Sequence, residues 1–249
     1  MIKNLTFKTD KGVRGDKRIG LIVLASDYTI DHEFRKIFPL ENIDYFQARI
    51  QNSPNITPET LYEMGDKISS TLRLILPGDR LDVVGYGCTS ATAVLGEKKI
   101  FEFIRAVHPQ ALCTTPITAA FEAFQKFHAK KLAVITPYRQ DVNENLIRYF
   151  KKSGFHISSF GSFNEERDPI VSCIDKQSII NGIKETIKGN EVDMVFISCT
   201  SIKFMDYVTE VEKILGIPVT TSNHAMAWHC MRLSGINKKF SHFGKLYQN

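Results

Sequence analysis

Cysteine is scarce in this chain of 249 residues, and the patterns that the cysteines fail to form are informative. The five cysteines are Cys88, Cys113, Cys173, Cys199 and Cys230. They form no C-x-x-C pair and no cysteine–histidine cluster with the spacing of a zinc site, so we expect no metal site and no cofactor built on one. The count is odd and no export signal is evident, so we expect free thiols rather than a disulfide framework.

Long apolar runs and basic stripes are also missing. No run of 18 apolar residues occurs, so no membrane span is expected. The N-terminus is basic but has no apolar segment of the signal-peptide type, which favours a cytoplasmic protein. The net charge of +5 is spread out, and no basic stripe is interleaved with aromatic residues, so nucleic-acid binding is not expected. The composition is that of an ordinary globular protein.

One short phrase, by contrast, occurs twice. The first copy is VVGYGCTS (83–90) and the second is MVFISCTS (194–201). Each copy is an apolar run that stops at Cys-Thr-Ser and is followed by a helical pattern. A buried parallel strand has this pattern, and open α/β sheets bind ligands at the carboxyl ends of such strands. We therefore expect Cys88 and Cys199 at equivalent strand ends, each thiolate being favoured by the dipole of a following helix.

The rest of the chain repeats in the same way. Ile19 and Leu132 begin corresponding strands 113 positions apart, and the two repeated cysteines are 111 positions apart. Strands that alternate with helices at this rhythm indicate parallel sheets. The predicted fold is α/β, with two pseudo-symmetric lobes from an internal duplication, each a parallel sheet flanked by helices, and an active site in the cleft between them. The predicted boundaries are 17–115 plus 218–249 for lobe 1, 116–217 for lobe 2 and 1–16 for an N-terminal arm.

Two cysteines on opposite walls of a cleft allow two reactions without a cofactor. In the first, one thiolate removes a proton from carbon and the opposite thiol returns one to the other face, which inverts a stereocentre. In the second, a thiolate adds to an activated double bond, the bond rotates and the thiolate leaves. Both intermediates place charge on a substrate carboxylate, so a small carboxylate is the expected substrate. Hydroxyl and N–H groups beside the cysteines would bind it: Thr89, Ser90, Thr200 and Ser201.

Polar residues also follow the first strand of each lobe. Asp27 follows this strand in lobe 1 and Tyr138 in lobe 2, so both are candidate substrate-binding residues. A surface acid and a packed aromatic ring are the alternatives. Asp168, in an acidic loop, is a weaker candidate. Core or helix-face roles are expected for residues of the last helix: His224, Trp228 and His229.

Five stretches carry a resemblance to a known family: RIGLIVLASDYT (18–29), GYGCTS (85–90), ITPYRQDVN (135–143), FISCTS (196–201) and TTSNHAMAW (220–228). With them the chain resembles the aspartate/glutamate racemase superfamily, and within it the branch of maleate cis-trans isomerase, arylmalonate decarboxylase and the ectoine-utilisation racemase-like proteins. The resemblance implies the two-lobe fold. It also implies Cys88 and Cys199 as the catalytic pair, with Cys88 as the nucleophile in a maleate-type isomerase. Carboxylate would be held by Tyr138, Thr89, Ser90 and Thr200.

Departures from the family pattern bear on the substrate. Arylmalonate decarboxylases, which this chain otherwise resembles, have only the second of the two cysteines, so the presence of both disfavours plain decarboxylation. Maleate isomerases are similar to this chain but carry Asn where it has Asp27. An ionised Asp cannot donate a hydrogen bond to a substrate carboxylate and repels it, so it suits an ammonium group instead. We therefore predict a cofactor-independent amino-acid or N-substituted amino-acid racemase. The alternatives are a maleate cis-trans isomerase with Cys88 as covalent nucleophile and, less favoured, an arylmalonate-type decarboxylase.

A different class of function also fits two lobes around a cleft. Solute-binding proteins have this architecture, but they are normally exported and need no paired thiols. A binding protein would tolerate serine at Cys88 and Cys199, whereas an enzyme would lose turnover and retain binding. The expected partner in either case is a small carboxylate, and assembly into a homo-oligomer is left open.

Overall fold

A computed structural model describes residues 2–38, 40, 42–53, 57–165 and 167–248. Within these ranges the chain forms two four-stranded sheets, each covered by helices. Residues 2–16 contain no helix or strand and are exposed apart from a half-buried Gly15. In the part of the chain so described, no helix is both long and apolar enough to cross a membrane.

The first sheet is parallel throughout, with the strand order β2-β1-β3-β4. Its strands are β1 (Lys17–Leu24), β2 (Ile43–Ile50), β3 (Val83–Gly87) and β4 (Leu112–Thr114). Helices cover both faces, so β3 is buried along its whole length. Gly85 lets a helix approach this strand, because a β-carbon there would lie 2.5 Å from the Met226 Cε atom.

The second sheet repeats the first, again parallel, with the order β6-β5-β7-β8. Its strands are β5 (Lys131–Thr136), β6 (His156–Ser162), β7 (Met194–Ile197) and β8 (Val219–Thr221). The predicted α/β fold with two duplicated parallel sheets is therefore confirmed. The strands that precede Cys88 and Cys199, β3 and β7, occupy the same place in their sheets.

Helices connect the strands and flank both sheets. Those within the described ranges are α1 (Ile30–Phe34), α2 (Pro58–Gly65), α3 (Ile68–Leu72), α4 (Thr89–Leu95), α5 (Glu97–Arg105), α6 (Pro116–Lys126), α7 (Gln140–Lys152), α8 (Asp168–Val171), α9 (Lys176–Ile187), α10 (Val208–Leu215), α11 (Ser222–Leu233) and α12 (Lys245–Gln248), with a 3-10 turn at Met205–Tyr207. Helices α6 and α11 begin alike. Thr115 accepts a hydrogen bond from the Thr118 N–H, and Thr221 accepts one from the His224 N–H, so each threonine is an N-cap.

The predicted return of residues 218–249 to lobe 1 is wrong for strand β8. This strand pairs with β7, so it completes the second sheet. The crossing comes one element later, because α11 packs on β3 and β4 of the first sheet. Helix α6 crosses in the opposite direction, and its Phe124 ring contacts Phe196 of β7 at 5.6 Å between centroids. The two lobes thus exchange helices, and α6 and α11 pack on each other.

Candidate active site

Cys88 lies where β3 ends and α4 begins. It is the N-cap of α4, in an extended backbone conformation, and its Sγ atom accepts a hydrogen bond of 3.4 Å from the Ala91 N–H. The Ser90 hydroxyl lies 3.6 Å from the same sulfur. A helix start with N–H donors stabilises a thiolate, as the sequence predicts for this cysteine.

Cys199 lies at the matching end of the second sheet, but no helix begins directly after it. Turns and non-helical residues extend from Thr200 to Phe204, and α10 begins only at Val208. The Sγ atom of Cys199 instead accepts a hydrogen bond of 3.4 Å from the Ser201 N–H, and the Tyr138 hydroxyl is hydrogen-bonded to it. The prediction of a helix dipole at both cysteines is therefore wrong for Cys199.

Seven of the eight predicted site residues line one cavity between the two sheets. They are Cys88, Thr89, Ser90, Tyr138, Cys199, Thr200 and Ser201. All seven are buried, with Cys88 3% and Cys199 4% exposed, so bulk water has little access to either thiol. Residues from β1, the segment after β2 and helix α2 also line it: Leu24, Asn52, Ser53, Thr60, Leu61 and Met64. We call this the cysteine cavity.

The eighth predicted residue, Asp27, lies beside the cysteine cavity rather than on its lining. Its carboxylate accepts hydrogen bonds from the Thr29 N–H at 2.7 Å and the Ile30 N–H at 2.9 Å, so it stabilises the start of α1. Burial raises the pKa of Asp27. The group is still close enough for its charge to raise the pKa of both Cys88 and Cys199.

Asp168, which was predicted only as a weaker candidate for a site residue, lines the cysteine cavity and is 3% exposed. Its carboxylate accepts hydrogen bonds from the Ser26 hydroxyl at 2.5 Å and the Ser201 hydroxyl at 3.0 Å. One of these serines follows a strand of the first sheet and the other a strand of the second, so Asp168 links the two lobes. The acidic loop around it gave no signal of this, because the contact depends on the packing of distant segments.

Tyr138 follows β5 and is buried, 3% exposed. Its backbone carbonyl accepts hydrogen bonds from the Asn143 side-chain amide at 2.7 Å and the Ser162 hydroxyl at 2.5 Å. Two donors on one carbonyl fix the backbone, so the ring presents its hydroxyl to Cys199 from a rigid position. Burial, first of all, raises the pKa of Tyr138 well above its ordinary value, and the neutral phenol is therefore a hydrogen-bond donor.

The electrostatic environment keeps both thiols protonated at neutral pH. Burial raises the pKa of Cys88 to about 12, against the hydrogen bonds from the Ala91 N–H and Ser90. Burial and then the Asp168 carboxylate raise the pKa of Cys199. Among the described residues, no lysine or arginine lines the cysteine cavity, so hydroxyl and N–H groups are the donors available to an anion there.

Several polar residues around the site have no counterpart in the sequence predictions. Thr29, Glu33 and Asn223 are buried and bind the segment that follows Cys199. Asn223 belongs to the stretch TTSNHAMAW that carries the family resemblance, which gave a position but no role. Glu33 has the pattern of an ordinary helix residue, and nothing in its neighbourhood of the sequence indicates burial. His224 and His229 lie in the core as predicted.

Comparison with known proteins identifies the family. The family model described as arylmalonate decarboxylase matches residues 19–247, so the chain belongs to this family, within the Asp/Glu racemase-like superfamily. A maleate isomerase from Nocardia farcinica is 25% identical over 229 residues, covering 88% of this chain and 90% of the relative. An arylmalonate decarboxylase from Bordetella bronchiseptica is 26% identical over 128 residues, 51% of this chain and 53% of the relative. The protein is thus an enzyme of a family whose matched members include isomerases.

Solved structures of the same fold agree. A Nocardia farcinica maleate cis-trans isomerase, with a cysteine-to-serine substitution and a covalently bound succinylcysteine intermediate, matches with a TM-score of 0.84 at 23% identity. The match covers 93% of this chain and 98% of that one. Unliganded arylmalonate decarboxylase matches with a TM-score of 0.76 at 21% identity, covering 94% and 99%. Both share the arrangement of two parallel sheets.

Proposed function

We propose that this protein is a cofactor-independent cis-trans isomerase of a small unsaturated dicarboxylate of the maleate type. The observation that carries the proposal is that Cys88 and Cys199, from equivalent strand ends of the two sheets, line one cavity. The relatives that match most of the chain are named maleate isomerases, which supports this alternative over the amino-acid racemase that the sequence favoured.

The two cysteines have different surroundings, and this difference supports different roles. The Cys88 sulfur accepts a hydrogen bond from the Ala91 N–H at the start of α4. This bond favours the thiolate and suits Cys88 to attack carbon. Cys199 is held by the Tyr138 hydroxyl and the Ser201 N–H and lies near the Asp168 carboxylate. Burial and the negative charge of Asp168 outweigh these two donors and keep the proton on the thiol, which suits Cys199 to act as the general acid.

The reaction follows from these roles. The Cys88 thiolate adds to one alkene carbon, and the π electrons move onto the other carbon and its carboxylate. The Cys199 thiol protonates that carbon, giving a covalent succinyl adduct like the succinylcysteine intermediate bound in the Nocardia farcinica enzyme. Rotation about what is now a single bond moves the two carboxylates from the same side to opposite sides. The Cys199 thiolate then removes a proton from the rotated carbon, and departure of the Cys88 thiolate leaves the trans product and returns both cysteines to their starting states.

The substrate carboxylates need donors in a cavity without lysine or arginine on its described lining. The backbone N–H groups at the start of α4 and the hydroxyls of Thr89 and Ser90 can bind one carboxylate. The hydroxyls of Thr200 and Tyr138 can bind the other. Such preorganised dipoles stabilise the charge that develops during addition, as in an oxyanion hole.

Racemisation of an amino acid is kept as a second candidate because of one observation. The buried Asp168 carboxylate lines the cysteine cavity and would bind a substrate ammonium group. The same two thiols would then remove and return a proton on opposite faces of the α-carbon. Both candidates use Cys88 and Cys199, so the cysteine variants affect both alike. The substrate that is converted, and the product that forms, separate them in one assay.

The test is proton NMR in heavy water under reductant, with wild type beside Cys88→Ser and Cys199→Ser. The substrates are maleate, amino acids, N-acyl amino acids and arylmalonates. Appearance of fumarate from maleate, lost in Cys88→Ser, would support the proposal. Loss of an α-proton signal with formation of the other enantiomer would replace it with racemisation. Retained turnover in both variants would contradict cysteine catalysis altogether.

A further inference from the structure

The segment that follows Cys199 differs from its counterpart after Cys88, because no helix stabilises it. We call residues 199–205 the Cys199 turn. Its backbone groups are satisfied from outside the segment. The Thr29 hydroxyl donates to the Ser201 carbonyl at 2.8 Å, and the Asn223 side-chain amide donates to the Thr200 carbonyl at 2.7 Å. Side chains from α11 and from the segment that precedes α1 thus hydrogen-bond the backbone after Cys199, whereas the helix α4 hydrogen-bonds the backbone after Cys88.

The far end of the same turn is held by Glu33, a residue of α1. One oxygen of its carboxylate accepts hydrogen bonds from the Phe204 N–H at 2.9 Å and the Met205 N–H at 2.8 Å. The other oxygen accepts a hydrogen bond of 2.8 Å from the Asn223 amide nitrogen. Glu33 is 1% exposed, so water cannot replace these bonds.

The Asn223 amide links the two ends of the turn. Its nitrogen donates to both Glu33 and the Thr200 carbonyl, which uses both of its hydrogens. Its oxygen has no hydrogen-bond partner among the described residues. The opposite amide orientation would place that oxygen against two acceptors. Both acceptors therefore favour the orientation that serves Thr200, and Glu33 contributes to it only while it acts as an acceptor.

We propose that Glu33 is a positioning residue for Cys199, because its carboxylate holds the Asn223 amide in the one orientation that donates to the Thr200 carbonyl and so fixes the turn carrying the Cys199 thiol. Glu33 does not line the cysteine cavity among the described residues, and it acts through Asn223 and the backbone of the turn. The effect on turnover rests on the function proposed above, whereas the effect on the order of the turn does not.

The charge on Glu33 makes this arrangement sensitive to pH. Burial raises the pKa of Glu33 to about 7, against the hydrogen bonds from Met205, Asn223 and Phe204 and the attraction of Lys36. Two other titratable groups lie nearby. Asp206 forms an ion pair with Lys36, and the charge of Glu33 contributes to raising the pKa of the buried Tyr247. A protonated Glu33 would need an acceptor, and its described partners are all donors. Only rotation of the Asn223 amide supplies one, which removes the bond to Thr200.

The test compares Glu33→Gln with a matched control, Glu212→Gln. Glu212 is also a buried carboxylate that accepts backbone N–H groups, those of Val219 at 3.0 Å and Lys245 at 2.7 Å, but its partners do not reach the Cys199 turn. Hydrogen–deuterium exchange followed by mass spectrometry gives the protection of the peptide that covers residues 199–207. It is measured at pH 6 and pH 8 and corrected for the intrinsic exchange rate.

At pH 8 we expect Glu33→Gln to lower the protection of this peptide by about tenfold, the effect of losing one to two hydrogen bonds. Glu212→Gln should leave it unchanged, and wild type should lose protection there between pH 8 and pH 6. In steady-state assays Glu33→Gln should lower kcat with little change in KM. Unchanged protection in folded Glu33→Gln would overturn the proposal. If that variant does not fold, Asn223→Ala decides in its place, since wild-type protection of the peptide in it would also overturn the proposal.

The two proposals fail separately. Exchange of the Cys199 turn uses no substrate, so a wild-type protein that is inactive on every compound tested still gives a result for Glu33. A protein that isomerises maleate but shows no effect of Glu33→Gln on the turn would keep the proposed function and lose the positioning role.

Discussion

The Ser201 hydroxyl donates a hydrogen bond of 3.0 Å to the Asp168 carboxylate, which places a buried acid beside the Cys199 thiol. The Asp168 carboxylate also accepts a hydrogen bond from the hydroxyl of Ser26, a residue of the first lobe. This one carboxylate therefore lines the cysteine cavity, raises the pKa of both thiols and puts negative charge where an anionic substrate would bind.

Replacing this acid should make the thiols more acidic. In Asp168→Asn we expect the pKa of Cys88 and Cys199 to fall, since a like charge that opposes thiolate formation is removed. The rising limb of kcat/KM against pH should move to lower pH, and KM for a dicarboxylate should decrease several-fold as repulsion is removed. The pH–rate profile measures this, with Asp175→Asn, at the exposed start of α9, as the control. A profile that moves to higher pH would contradict the assignment.

Tyr138 offers a narrower test, because its hydroxyl is hydrogen-bonded to Cys199. Tyr138→Phe should lower kcat roughly 10- to 100-fold, since hydrogen bonds to charged groups contribute about 1.5–3 kcal/mol. The thermal midpoint should change little, because Asn143 and Ser162 bind the backbone carbonyl of residue 138 and not its ring. Tyr149→Phe loses a comparable hydroxyl contact to Glu97, away from the cavity, and should retain its kcat. Equal losses in both variants would argue against a specific role for Tyr138.

The alkaline dependence of activity follows from burial of the nucleophile. Because burial raises the pKa of Cys88 to about 12, the reactive thiolate is a small fraction at neutral pH. The value of kcat/KM should therefore increase steadily from pH 7 to pH 9 without reaching a plateau. Initial rates in a buffer series of constant ionic strength would show this. A plateau near pH 7 would mean that the Cys88 thiol is far more acidic than its surroundings indicate.

His224 should remain neutral well below the usual histidine range. Burial lowers its pKa to about 4, and its ring is fixed between the Thr220 hydroxyl and the Phe243 carbonyl. Between pH 6.5 and pH 4 the unfolded chain binds a proton that the folded chain does not, so this residue's contribution to stability is present above pH 6.5. It is lost as pH falls towards 4, and it amounts to at most about 3 kcal/mol.

The His224 imidazole resonance, followed by proton NMR, measures this directly. It should not shift between pH 8 and pH 5 while the protein stays folded. Glu33 opposes the effect on global stability, because its raised pKa makes the folded chain retain a proton up to about pH 7. The resonance of His224 is therefore a better measure than the unfolding midpoint, and titration near pH 6.5 would contradict the assignment.

The sequence was sufficient for much of the fold because strand ends and repeats are local signals. The Cys-Thr-Ser phrase located both cysteines, and the repeat of Ile19 at Leu132 located the second sheet. The predicted helix dipole at Cys199 was wrong, because no helix begins directly after this cysteine and the Cys199 turn is held by side chains far away in the sequence. For the same reason Asp168 was predicted only as a weak candidate and Glu33 was missed. Their burial and partners arise only when the two lobes pack.

The roles of Cys88 as covalent nucleophile and Cys199 as partner acid can be tested without following turnover. The most direct measurement is mass spectrometry of intact Cys199→Ser, and of its peptides, after incubation with maleate under reductant. We expect a mass increase equal to one maleic acid, located on the peptide that contains Cys88, and no increase in Cys88→Ser. An adduct on another cysteine, or no adduct while wild type isomerises maleate, would contradict these roles.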